Sequence, residues 1–97
     1  MNDKPELNFD EIVSAYYQPL YRFGYSLAKN EHEAGDLTQQ TFINAYTSLE
    51  QFRPGSDFGV WLRAIARNLL RNELRRRDRE TARLARYHDW LQQTLAD

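Results

Sequence analysis

Cysteine is missing altogether, and glycine and proline together make up only 7 of the 97 residues. The first absence excludes a disulfide framework and any cysteine-based zinc site, and it suits a reducing cytoplasm, where the chain is expected to act. The second excludes collagen-like and turn-dominated chains and leaves long stretches free to be helical. No apolar run approaches the roughly 18 residues that a membrane span requires. The opening MNDKPELNFDE is polar and acidic, unlike a signal peptide. At 97 residues there is room for one domain with a small core, which excludes a two-domain enzyme.

Catalytic signatures are equally scarce. There is no Gly-rich phosphate loop, no Gly-x-Ser-x-Gly turn and no cysteine nucleophile. His32 and His88 stand 56 residues apart, neither with a second histidine at metal-ligand spacing. We expect no catalytic residue, no metal site and no cofactor; paired carboxylates such as Glu31 and Glu33 are explained by helix capping and the helix dipole.

What the chain does have is a divided charge. Its net charge of -1 conceals residues 1–50 with three basic groups against eight acids, and residues 51–97 with ten against six. All ten of the latter are arginine, whose planar fork suits phosphates and base edges. Between Arg63 and Arg86, nine arginines face three acids.

The periodicity is helical. Asn8 followed by Glu11 forms a capping box, and Leu7 is placed to staple onto Ile12. The helix predicted there has an apolar face of Phe9, Ile12, Val13, Tyr16, Leu20, Phe23, Gly24 and Leu27. Pro19 lacks an amide donor and crowds the preceding turn, which predicts a kink or break near Tyr17 and Gln18. Asn30-Glu31-His32-Glu33 repeats the cap signature and opens a second helix with an inner face of Ala34, Leu37, Thr41, Phe42, Ala45, Tyr46 and Leu49. Its other face carries Asp36, Gln39, Gln40, Ile43 and Asn44, a mixture that fits either a solvated surface or a docking patch.

Arg53-Pro54-Gly55-Ser56-Asp57 is turn-forming. A third helix is predicted from Phe58, with Phe58, Trp61, Leu62, Ile65, Leu69 and Leu74 as its apolar stripe. Arg63, Arg67, Arg71 and Arg75 follow at i, i+4 steps and are expected to project in one direction. Beyond Arg77, Leu84, Tyr87, Trp90, Leu91 and Leu95 restore an apolar spacing, read either as a fourth helix packing back or as a linker. The expected fold is all-α, a compact bundle of three to four helices.

A row of arginines attracts backbone phosphates through counterion release, whatever the sequence. Asn68 lies among them, and Phe52, Phe58 and Trp61 precede them. Asparagine can read an adenine edge, and an apolar pocket can hold an extruded base. The competing reading gives Phe58 and Trp61 to the core. A rival of another class is a helical interaction module whose arginine face grips an acidic protein and never binds DNA.

Three motifs now combine. Asp36-Leu37-Thr38-Gln39-Gln40-Thr41-Phe42, then Phe52-Arg53-Pro54-Gly55-Ser56, then Trp61-Leu62-Arg63-Ala64-Ile65-Ala66-Arg67-Asn68-Leu69 ending in Leu74-Arg75-Arg76-Arg77 closely resemble region 2 of bacterial extracytoplasmic-function (ECF) sigma factors, over about residues 9–78. The resemblance implies a domain at 1–78 that binds core RNA polymerase and recognises and melts the promoter minus-ten element. It implies that Asp36, Gln39, Gln40, Ile43 and Asn44 dock on the clamp coiled coil of the polymerase's largest subunit. It also implies that the loop of Phe52, Arg53, Gly55, Ser56, Asp57 and Phe58 captures a base flipped from the non-template strand, with Asn68 lining the pocket. Arg63, Arg67, Arg71 and Arg75 would hold the upstream duplex edge. Many such factors are held inactive by an anti-sigma protein covering these surfaces. The family usually has a glutamate at the position of Gln40 and often an acid at that of Gly35. Residues 79–97 would be a helical tail or the start of an interdomain linker. The second helical domain that usually reads the minus-thirty-five element is absent from these 97 residues, so the chain is expected to be one half of such a factor or a naturally shortened relative.

Overall fold

The structure, a computed structural model, describes residues 8–96. Three helices follow one another: α1 (Phe9–Ala28), α2 (Glu31–Thr47) and α3 (Phe58–Ala96), with a single 3-10 turn at Leu49–Gln51. The expected staple from Leu7 lies outside the described residues.

Local chemistry sets the helix ends. Asn8 is extended, and its Oδ1 accepts the Asp10 amide at 3.1 Å, which caps α1 without the side chain of Glu11. Lys29 closes α1 in the left-handed conformation, φ 56° and ψ 31°, where its N–H reaches the Tyr25 carbonyl at 2.7 Å. A left-handed lysine costs roughly 1 kcal/mol, and it reverses the chain at once. Asn30 comes next, accepting the Glu33 amide at 3.0 Å and starting α2.

Of the kink or break expected near Tyr17 and Gln18, the break does not occur: α1 runs through Pro19. Pro19 and Ala15, whose carbonyl loses its helical donor, are both exposed, so water can satisfy that oxygen. Ile12 and Leu20, on either side, are buried and hold both halves of the helix on the core.

The core brings together Ile12 and Leu20 of α1, Leu37, Phe42 and Ala45 of α2, and Leu62 and Ala66 of α3. Thr38 and Thr41 are also fully buried, each donating its hydroxyl to the carbonyl four residues back at 2.7 Å. Satisfied in this way, they fill core volume with no orphaned polar atom. Three residues expected inside lie exposed: Leu27, Tyr46 and Leu74. Leu74 follows Leu69 by five residues, a step that turns it about 140° away from the stripe. Tyr46 sits on the last turn of α2, where it contributes an edge contact to Phe9 at 5.1 Å.

No fourth helix packs back. α3 runs uninterrupted for 39 residues, straight through residue 78. At 1.5 Å per residue that is about 58 Å of helix against about 30 Å for α1. The molecule is therefore a compact three-helix body with a projecting arm, 74 Å long and 26 by 18 Å across.

Candidate polymerase and nucleic-acid interface

The outer face of α2 presents Asp36, Gln39, Gln40 and Ile43 to solvent, with Asn44 half-buried beside them and receiving a 3.3 Å hydrogen bond from the Gln40 amide. Ile43 is 55% exposed, a β-branched apolar side chain surrounded by amides. Asp36, Gln39, Gln40 and Ile43, though not Asn44, form one wall of a groove of about 450 Å³. The opposite wall was not foreseen from the sequence: it is α3, through Leu69, Leu70, Glu73 and Arg77. The i, i+4 spacing of Glu73 and Arg77 was legible as a pair within one helix. That Arg77 also bridges to Glu33 of α2, at 2.8 Å, depends on how the helices cross.

Charge at the end of this groove is tightly arranged. Glu73 accepts hydrogen bonds from Arg76 at 2.8 and 3.0 Å and from Arg77 at 3.2 Å. Arg76, with Arg77 adding to it, holds the Glu73 carboxyl down from the ordinary 4.5 to about 2. Arg77 in turn is pushed up, chiefly by its hydrogen bond to Glu33 and then by that to Glu73. The bridge from Arg77 to Glu33 ties α2 to α3, and the Glu73 carboxylate beside it stays ionised. Beside Glu33 in the first turns of α2, His32 Nε2 lies 3.3 Å from Asp36 on the exposed surface.

The loop after α2 is shaped by its turn residues. The Ser56 amide donates to the Arg53 carbonyl at 3.1 Å, with Pro54 and Gly55 between them. Gly55 has φ 88°, the value that the third residue of a type II turn demands and that a side chain resists. Asp57 then caps α3, its Oδ1 accepting the Val60 amide at 3.1 Å. Arg53, Gly55, Ser56 and Asp57 are all exposed. Phe52 and Phe58 are half-buried: their rings meet edge-on at 5.1 Å, and both contact Trp61, at 5.2 and 5.4 Å. Phe58 also leans on Tyr16 of α1. The three rings therefore form a small cluster at the rim of the core, as the packing reading expected of Trp61.

The arginine row does not point one way. Each i, i+4 step advances about 40° around a helix, so the row winds through about 120° from Arg63 to Arg75. Arg63 is half-buried against α1, lining a crevice with Tyr16, Pro19 and Leu20. Arg67 sets its guanidinium over the Phe23 ring, 5.5 Å from the centroid. Arg71 and Arg75 are exposed, as is Asn68. Among the described residues, none of these four arginines is paired with a carboxylate. No group of three or more histidine, aspartate or glutamate side chains clusters among the described residues. No helix among them is long and apolar enough to cross a membrane.

Over residues 12–80 the chain matches Sigma-70 region 2. It belongs to that family. It is 42% identical over 72 residues to the ECF RNA polymerase sigma factor SigE of Mycolicibacterium smegmatis, covering 74% of this chain and 28% of that one. The ECF RNA polymerase sigma factor EcfG of Rhodopseudomonas palustris is 41% identical, over 73% of this chain and 39% of its own. Among solved structures, the sigma factor RpoE from Bartonella quintana, in complex with the anti-sigma factor NepR, superimposes with a TM-score of 0.70 at 32% identity. That alignment takes in 75% of this chain and 46% of the other. The chain thus spans less than half the length of each of these relatives. This is a region 2 domain of the ECF sigma type, and every candidate residue from Asp36 to Arg75 falls inside the family match. The arm beyond residue 80 falls outside it.

Proposed function

We propose that this region 2 domain is the polymerase- and promoter-contacting part of a transcription initiation factor, with no reaction of its own. Asp36, Gln39, Gln40, Ile43 and Asn44 meet the clamp coiled coil of the polymerase's largest subunit. Arg71 and Arg75, with Arg67 behind them, collect phosphates of the minus-ten region. Asn68 and the loop of Phe52, Arg53, Gly55, Ser56, Asp57 and Phe58 hold one base flipped from the non-template strand, at an unstacking cost of a few kcal/mol. Arg63, tucked against α1, contributes at the edge of that surface.

The observation that carries this reading is the separation of two solvent-facing surfaces. A near-neutral amide face with one exposed isoleucine lies on α2, and unpaired arginines flanking an exposed asparagine lie on α3. The first has the composition of a protein-docking patch, the second that of a nucleic-acid surface. An anti-sigma protein is a further expected partner, since a relative of similar structure is known in complex with one.

The test is fluorescence anisotropy with a labelled single strand drawn from a minus-ten pool. The preferred sequence binds better than its scramble, and Asn68→Ala erodes that preference while leaving the scramble unchanged. Equal binding of every sequence by the wild-type chain would remove the base-capture claim. For the protein face, Ile43→Glu abolishes capture by the isolated clamp coiled coil and leaves oligonucleotide binding intact.

A further inference from the structure

Arg67, Arg76 and Arg77 of α3 are each held by a neighbour, and the neighbours differ in what they leave free. Arg76 gives its N–H groups to Glu73 at 2.8 and 3.0 Å, and Arg77 bridges to Glu33 at 2.8 Å. A carboxylate that fixes an arginine also cancels its charge and occupies its donors. Arg67 is fixed differently. α1 lays Tyr16 against Phe58 at the start of α3, and two turns further on it brings Phe23 beneath the Arg67 guanidinium, 5.5 Å from the ring centroid. Phe23 is half-buried and packed on the core, so its ring is the anchored member of the pair. Arg67 is exposed and has no carboxylate partner among the described residues. A ring face attracts a cation without neutralising it, and it accepts none of the strong hydrogen bonds that guanidinium N–H groups make to oxygen. Arg71 and Arg75, further along the row, are exposed with neither ring nor carboxylate against them among the described residues.

We propose, resting on the reading of the α3 arginines as phosphate ligands, that Phe23 is a positioning residue for DNA binding: it presets the Arg67 guanidinium at the surface, with charge and donors free for a backbone phosphate of the single strand. Arginine is a long side chain with many rotamers, and the freedom that it surrenders on taking a ligand weakens binding. Where a fixed ring has already restricted it, less is lost. Phe23 itself does not touch the phosphate. It stands on α1, outside the loop, the asparagine and the arginine row, and so brings that helix into the strand-binding surface through a ring that carries no charge. The same side chain still packs on the core, and the two roles separate only when Arg67 is removed.

The experiment is a double-mutant cycle on the full chain, read by anisotropy of a labelled oligothymidine of about 12 nucleotides over a series of salt concentrations. Arg67→Gln weakens binding and lowers the slope of log affinity against log salt by about 0.7 to 1. Phe23→Leu, which keeps an apolar side chain and removes the ring, weakens binding by about two- to fivefold. It leaves the slope as in the wild type, because the number of phosphates neutralised is unchanged. Phe23→Tyr, which keeps the ring, binds like the wild type. In the Arg67→Gln background, Phe23→Leu has no further effect. Equal weakening by Phe23→Leu in both backgrounds would assign Phe23 to core packing alone and overturn the proposal. Unchanged affinity in Phe23→Leu, with Arg67→Gln weakened, overturns it as well. Both of those results leave Arg67 standing as a phosphate ligand. Unchanged affinity and slope in Arg67→Gln removes that reading of Arg67, and the proposal with it.

Discussion

Residues 58–77 and 78–96 belong to one helix and carry one kind of apolar spacing, yet their surroundings are opposite. In the first stretch Gly59, Leu62 and Ala66 are buried, and Ile65, Leu69 and Leu70 pack on the core. In the second, Leu84, Tyr87, Trp90 and Leu95 face water. Length decides between them: α2 has 17 residues, about 25 Å, and cannot accompany a 39-residue helix beyond its first half. Periodicity marks a face that needs cover, and the lengths of the neighbouring helices decide where cover ends.

The sharpest way to break this comparison is a matched pair of truncations. Leu62→Ala, at a position only 1% exposed, lowers unfolding free energy by about 3 kcal/mol in urea titration, whereas Leu84→Ala changes it by less than about 0.5 kcal/mol. Comparable losses at both sites would mean that the arm is packed in solution. Next in size is Gly35→Ala on α2. A methyl group there would meet nothing within 4 Å, so the helix should gain about 1 kcal/mol, read as a higher Tm. The arginine row gives a third comparison, within the inner half of α3. Arg71→Ala and Arg75→Ala each reduce the slope of log affinity against log salt for single-stranded DNA by about 1. Arg63→Ala changes that slope less and stability more, because Arg63 packs on α1.

The smallest expected effect concerns acid. Because the Glu73 carboxyl titrates lower in the folded chain, the stability that it contributes is intact above pH 4.5 and lost as pH falls from about 4.5 towards about 2. Glu73→Gln should flatten that limb of a stability-against-pH curve, and high salt should shrink the difference, since the carboxylate is at the surface. An unchanged curve would mean that Arg76 and Arg77 do not hold the Glu73 carboxylate in solution.

The starts of α1 and α2 were legible in the sequence because capping is local: Asn8 and Asn30 each act within three residues of themselves, whereas Asp57, which caps α3 in the same way, was read only as part of a turn. The turn at Pro54 and Gly55 was legible for the same reason. Of the candidate site, the α2 face emerged as read, with Asp36, Gln39, Gln40 and Ile43 exposed together. Its second wall did not, since Leu69, Leu70, Glu73 and Arg77 become its neighbours only when α3 crosses α2. A break at Pro19 does not occur because local propensity, worth about 3 kcal/mol, competes with burial of Ile12 and Leu20 on both sides of it. The arginine row was misjudged because steps of four were taken as straight, although a 3.6-residue turn makes them wind. The inner face read from sequence holds Thr41 but not Thr38, although Thr38 stands four residues from both Ala34 and Phe42. Its hydroxyl is satisfied by the Ala34 carbonyl just as that of Thr41 is by Leu37.

The unbroken course of α3 makes the arm a phased lever. Inserting one residue near position 79 would swing everything beyond it by about 100° and push it outward by only about 1.5 Å. Inserting four would advance it by about 6 Å but restore its bearing to within about 40°. The row from Leu84 to Leu95 is therefore held at an angle to the α2 groove that is counted in residues. A change in that count would alter direction far more than distance.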